Sequence, residues 1–207
     1  MISVDYFTNR IFNSRTYILS KEGSDEVWLV DCGDADRIMR RAAGKTVKGI
    51  LLTHAHSDHI YGLEEILNHY PQAKVYTNHA GVDSLKSPRL NLSHFHSEYP
   101  DIFIDKLEIM QIIGEGDVIE VLGKEVKVYE TPGHAPSCLT FIIEDKAFTG
   151  DAYIPGVKLF TGFPSSNRKQ GQASVDRILQ LSKNCIVMPG HTVPDTDEVQ
   201  TNNVYCR

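Results

Sequence analysis

At 207 residues, the chain can bury one sizeable core and has little left for a second, so a single domain over residues 1–207 is expected. A formal charge of -6 with 41% hydrophobic residues excludes a disordered chain and argues against a nucleic-acid surface, which needs a clustered basic face. No apolar run approaches the roughly 20 residues of a membrane span, and Met1 to Tyr6 lacks the basic and apolar regions of a signal peptide, so a cytoplasmic protein is expected.

Apolar stretches at 4–7, 17–19 and 27–30 predict three opening strands, the last stopped by Cys32-Gly33-Asp34. The period then changes. Ile38, Met39, Ala42 and Ala43 recur at helical spacing between a capping Asp34 and a terminating Gly44, predicting a helix over 34–43. A strand over 49–52 follows, and Asp58 opens a helix with Ile60, Leu63, Ile66 and Leu67 facing inward, ending before Pro71. A short strand at 75–77 and a short helix at 80–85 come next. Residues 87–106 are polar and aromatic without a clear period, the mark of a long loop, and long loops in compact domains often serve as lids or binding walls. Strands are then predicted at 107–112, 118–121, 125–129, 139–143 and 146–149, with tight turns at Gly123-Lys124 and Glu144-Asp145. A helix over 172–181 and a strand over 185–188 close the series. Strand runs followed by helices in each half predict an α/β four-layer sandwich, αββα, of two mixed β-sheets with helices outside.

The chemistry concentrates at predicted strand ends. His54-Ala55-His56-Ser57-Asp58-His59 places three imidazoles and a carboxylate directly after the strand over 49–52. His134, Asp151 and His191 stand just past three later strands, each preceded by a glycine that lets the backbone turn sharply and aim the next side chain above the sheet. This inventory suits two divalent metals. His54 and His56 alternate outward from an extended loop and reach one metal with His134; Asp58, His59 and His191 face a second; Asp151 can bridge them with its two oxygens. Such a pair, about 3.5–4 Å apart, lowers the pKa of a shared water to near 7 and supports attack on a carbonyl or phosphoryl centre. Zinc is the expected metal, with manganese or iron as alternatives.

In their order, His54-x-His56-x-Asp58-His59, Gly133-His134, Gly150-Asp151 and Gly190-His191 resemble the motifs of the metallo-β-lactamase fold superfamily, over about residues 15 to 195. The resemblance implies an αββα sandwich with a dinuclear site between the sheets, and makes Asp31 a residue beside the metals without being a ligand. Thr53 to His59 and Phe148 to Asp151 look most like the glyoxalase II branch, hydrolases of glutathione thioesters. That branch carries a further C-terminal helical region for glutathione, which is expected to be lacking here, and Ile60-Tyr61-Gly62 replaces its paired glycines. True zinc β-lactamases usually have Cys or Ser where Asp151 stands, and the flavodiiron branch has Glu where His56 stands.

The expected function is therefore a metal-dependent hydrolase of a small ester, thioester or lactone, with Asp58 and a bridging hydroxide at the centre of the chemistry. A mononuclear iron persulfide dioxygenase, using His54, His134 and Asp151, is the alternative; a phosphodiesterase or a non-catalytic metal-binding domain stand behind it. The expected partner is a small-molecule substrate, with no nucleic acid and no membrane. Tyr61, Tyr153 and Lys158 are candidate substrate contacts, and Arg168 and Lys169 could steer an anion. His94 and His96 read as solvated loop residues, with a metal or substrate contact as the other reading. His69 reads as a helix-terminal cation and His79 as a surface residue. Cys32, Cys138, Cys185 and Cys206 contain no C-x-x-C pair and read as packed thiols.

Overall fold

A computed structural model describes residues 1–192; Cys206 lies outside the described residues. Strands β1 (Ser3–Thr8), β2 (Arg15–Ser20) and β3 (Glu26–Val30) form an antiparallel meander. β4 (Thr46–Leu51), β5 (Lys74–Thr77) and β6 (Met110–Ile112) extend it in parallel to a six-stranded sheet in sequence order. Parallel neighbours need crossover connections, and α1 (Ala35–Arg41), α2 (Leu63–His69) and α3 (His79–Leu85) lie in them. β7 (Val118–Val121), β8 (Lys124–Glu130), β9 (Leu139–Ile143) and β10 (Lys146–Gly150) make a second antiparallel meander. β11 (Ile186–Pro189) joins β10 in parallel after α4 (Arg168–Leu181).

The alternation of β3 shows how the layers are held. Val27 and Leu29 pack with Ile38 of α1 and Ile66 of α2, whereas Trp28 and Val30 face Phe141 and Phe148 of the second sheet. Ile178 of α4 covers the far side of that sheet beside Ala135 and Cys138. Both sheets and both helical layers of the expected αββα sandwich are thus present. Residues such as Leu29 and Phe141 are fully buried, each contributing about 1.5–3 kcal/mol by leaving water. Among the described residues, no helix is long and apolar enough to cross a membrane.

Three elements differ from expectation. The helix expected from Asp58 is a single 3-10 turn, Ser57–His59, and α2 starts only at Leu63. The backbone groups needed to continue it go elsewhere: the His59 carbonyl accepts from Cys32 N at 2.7 Å, and Gly62 N donates to the Cys32 carbonyl at 3.1 Å. The Gly62 Cα approaches the Gly33 carbonyl so closely that a Cβ would collide with it. α4 begins four residues before the expected Gln172, because Asn167 caps it by accepting from Gln170 N at 3.0 Å, so Arg168 and Lys169 lie on its first turn. Residues 107–109, expected as strand, form a 3-10 turn ahead of β6.

Candidate metal centre

Five strand ends meet at one edge of the sandwich. Asp31 follows β3, residues 53–59 follow β4, His134 follows β8, Asp151 follows β10 and His191 follows β11. Asp31 has φ 59°, a left-handed conformation that non-glycine residues rarely adopt, at a cost of about 1–3 kcal/mol. Its bonds offset that cost: one oxygen accepts from Thr53 N at 2.8 Å, the other from Thr53 Oγ1 at 2.7 Å and His59 Nδ1 at 2.9 Å. Gly150 needs its φ of 50°, and a Cβ there would strike Thr53 Oγ1. A Cβ at Gly190 would likewise collide with Asp151 Oδ1.

The structure brings all seven candidate donors together in two groups. In the first, nitrogens of His54, His56 and His134 all lie within 4.8 Å of one another, with His56 Nδ1 3.0 Å from His134 Nε2. In the second, His59 Nε2 lies 3.2 Å from His191 Nε2, and Asp58 Oδ2 is 3.4 Å from the former and 3.3 Å from the latter. Asp151 stands where the groups meet: Oδ2 is 3.5 Å from His134 Nε2 and 3.2 Å from His191 Nε2, and Oδ1 is 3.5 Å from His59 Nε2.

The outer ring atoms decide which way the lone pairs point. His134 Nδ1 donates to the Phe160 carbonyl and His191 Nδ1 to the Phe12 carbonyl, both at 2.9 Å. A carbonyl only accepts, so these Nδ1 atoms carry protons and the Nε2 atoms, which face inward, are the ones left to offer lone pairs to a cation. Because the Thr53 hydroxyl donates to Asp31, it can only accept from His54 Nδ1, 3.2 Å away. That leaves His54 Nε2 as an inward acceptor, buried without a hydrogen-bond partner, as is Asp151 Oδ1. Buried polar atoms are normally satisfied. Converging lone pairs with nothing between them, on nitrogen and oxygen donors, fit divalent cations such as zinc.

Electrostatics separates the groups. Burial, reinforced by His59 and the other imidazoles, holds His54 well below its ordinary 6.5, and burial together with His134 brings His56 down to about 3. Burial also disfavours the charged forms of His59 and His191, but Asp58, Asp151 and Asp31 push His59 up to about 9, and Asp151 with Asp58 push His191 up to about 11. Burial alone would raise Asp58; His59 and His191 keep it below 3.8.

A cleft of about 310 Å³ opens over the donors, lined beyond them by Phe12, Leu92, His96, Phe160 and Phe163. The loop over 87–106 is hydrogen-bonded to the donor-bearing segment and within itself. The Asn91 carbonyl accepts from Ser57 N at 2.8 Å, Tyr99 Oη lies 2.5 Å from Ser57 Oγ, and the Asn91 amide donates to Ser84 and Ile102 carbonyls at 3.0 and 2.9 Å. Within it His96 reaches the cleft, while His94 is exposed beside Asp101 at 3.3 Å. Tyr61 donates its phenol to Asp34 at 2.5 Å and does not line the cleft; Tyr153 packs against Ala152 and Ile178. Lys158 is exposed on the loop after β10 and lines a neighbouring cavity of about 430 Å³ with Arg168. Of the lining residues, Phe12, Leu92, Phe160 and Phe163 carry no sequence signal beyond being apolar residues in loops.

Residues 11–191 match the Metallo-beta-lactamase superfamily. The chain belongs to that superfamily. Within it, the chain is 34% identical over 166 residues to hydroxyacylglutathione hydrolase of Xylella fastidiosa strain M23, covering 79% of this chain and 54% of that protein. To the protein of the same name from Erwinia tasmaniensis it is 29% identical over 178 residues, covering 82% and 59%. It therefore spans about half the length of these curated relatives. The crystal structure of BLEG-1 B3 metallo-beta-lactamase superposes with a TM-score of 0.82 at 23% identity over 92% of both chains. ETHE1 from Myxococcus xanthus superposes with a TM-score of 0.69 at 23% identity, over 93% of this chain and 77% of its own. These two likenesses are of fold.

Proposed function

We propose that this superfamily member is a metal-dependent hydrolase of a small thioester, ester or lactone. In this reading His54, His56 and His134 hold one divalent cation, Asp58, His59 and His191 a second, and Asp151 reaches both, with zinc the favoured ion. The observation that carries it is the convergence of buried lone pairs, with ring nitrogens 3.0 and 3.2 Å apart in each group. A divalent ion held by these residues would lower the pKa of a coordinated water to about 7 and polarise the attacked carbonyl.

The chain's own groups supply the rest. Asp58, kept ionised by His59 and His191, accepts a hydrogen bond from the attacking water, sets its direction and takes the proton that the leaving group needs. Asp31 orients His59 directly and His54 through Thr53. Lys158 and Arg168, in the neighbouring cavity, attract an anionic part of the substrate. The relatives named hydroxyacylglutathione hydrolase favour the thioester among the three bond types.

Metal analysis of protein purified without added metal tests this directly. About two zinc or manganese ions per chain, with chelator-sensitive thioester turnover, are expected. One iron per chain with oxygen consumption on a persulfide overturns it in favour of a dioxygenase. So does full turnover by His59→Ala and His191→Ala proteins.

A further inference from the structure

The hairpin between β1 and β2 is built against its own conformational preference. Ser14 N closes a turn onto the Ile11 carbonyl at 3.4 Å, and the two residues inside it, Phe12 and Asn13, have φ of 51° and 54°. Two positive φ angles are the signature of a type I′ turn, which favours Asn-Gly. A bulky aromatic at the first of these positions is an outlier, and such outliers concentrate where a site needs them.

Here the turn presents an aromatic ring at the cleft. Phe12 is 45% exposed and packs on the His96 ring with centroids 4.8 Å apart, while its carbonyl receives His191 Nδ1. A second aromatic pair stands on the loop before α4. Phe160, 57% exposed, meets Phe163 edge-on at 4.9 Å, and Phe163 in turn lies 5.0 Å from His56 and 5.5 Å from His134. Each donor group thus has an aromatic pair beside it. Among the described residues no lysine or arginine lines this cleft, Lys158 lying in a small adjoining cavity beside His134, Asp151 and Phe160, and the cleft's roughly 310 Å³ lies at the small end of ligand pockets.

We propose that the cleft receives the planar, apolar acyl group of the substrate against Phe12 and His96 from the hairpin side and Phe160 and Phe163 from the other loop. The substrate class is then an aryl-bearing acyl thioester or ester, an assignment that rests on the hydrolase reading above. The four rings are specificity determinants: Phe12 gives up backbone comfort to hold a ring where water would otherwise meet it.

The test compares phenylacetyl and acetyl thioesters of one thiol, N-acetylcysteamine, so that only the acyl group changes. The metal-loaded protein is expected to favour phenylacetyl by about tenfold in kcat/KM, the size of one or two aromatic contacts. Phe12→Asn and Phe163→Ala bring that ratio towards one, whereas Phe103→Ala, an exposed aromatic outside the cleft, leaves it unchanged. Phe12→Asn also raises Tm, by about 2–4 °C, because Asn suits the turn. Calorimetric binding of phenylacetate against acetate gives a readout besides turnover, and Phe12→Asn is expected to weaken only the former. Acetyl turnover equal to phenylacetyl, with a ratio that neither variant moves, overturns the aromatic site and leaves the hydrolase standing. Absence of turnover on these thioesters and on the matching phenyl esters and a lactone, with Phe12-dependent binding of phenylacetate, overturns the hydrolase and leaves the aromatic site; equal binding of the two acids without turnover overturns both.

Discussion

The two donor groups differ in how the protein prepares them. Burial holds His54 and His56 low, and their group, completed by His134, has no carboxylate of its own beyond the adjoining Asp151. Asp58, His59 and His191 form a cluster in which Asp58 and the adjoining Asp151, with Asp31 at His59, raise both histidines. Preorganisation therefore comes from desolvation in one group and from hydrogen bonding to charge in the other. The histidine anchors follow suit: a relayed hydroxyl and a carbonyl in the first, the buried Asp31 carboxylate and a carbonyl in the second.

The strongest way to break this contrast is to remove what the groups share. Asp151→Ala should strip metal from both, and its effect on turnover should exceed the roughly 10- to 100-fold typical of an outer partner. Metal content and activity measured together check it; a variant that keeps one full equivalent would show that Asp151 serves a single group. The next two substitutions separate the groups. Asp31→Asn is expected to weaken the second cation by about 10- to 100-fold and the first less, because it touches His59 directly and His54 only through Thr53. Thr53→Val should weaken the first more than the second, since its hydroxyl meets His54 directly and His59 only through Asp31, and chelator competition resolving two successive equivalents reads both outcomes.

Smaller effects lie further out. Tyr99→Phe removes the contact to Ser57 Oγ, beside Asp58, and should cost about 1 kcal/mol of stability by denaturant titration. A double-mutant cycle with Ser57→Ala should be non-additive, since each change removes the same bond. The smallest change expected is at Arg177, paired with Glu115 at 2.6 Å on the surface. Arg177→Ala should cost a few tenths of a kcal/mol. The Arg177 guanidinium holds Glu115 below its ordinary 4.5; a carboxyl lowered by folding stabilises above its unfolded value and loses that contribution as pH falls. The difference between wild type and variant should thus vanish in acid and persist at neutral pH.

Much of this architecture was legible because the residues that set it are local. The strands of both meanders announced themselves by apolar runs, and the four donors from His54 to His59 stand in one string at a strand end. His134, Asp151 and His191 could be found because a glycine precedes each, and at Gly150 and Gly190 the reason is steric contact with Thr53 and Asp151. What could not be read depends on distant partners. Nothing near Asp58 says that Cys32 will take the backbone groups a helix would have used. Nor does an aromatic in a turn declare that the turn lies over histidines from both sheets. Arg168 and Lys169 fall outside the helix expected over 172–181 because the apolar period starts later, and it is the Asn167 cap that brings them onto its first turn.

Both ring-nitrogen pairs join segments far apart in the chain: His56 meets His134 across 78 residues, and His59 meets His191 across 132. The hairpin carbonyl at Phe12 holds His191 over a separation of 179 residues. Chain emerging during synthesis can expose the His54 to His59 string early, yet neither constellation closes until both meanders have docked. On the proposed reading, cation capture is then expected late in folding, and a time-resolved metal signal after refolding would mark the moment when the first strands and the last strand find each other.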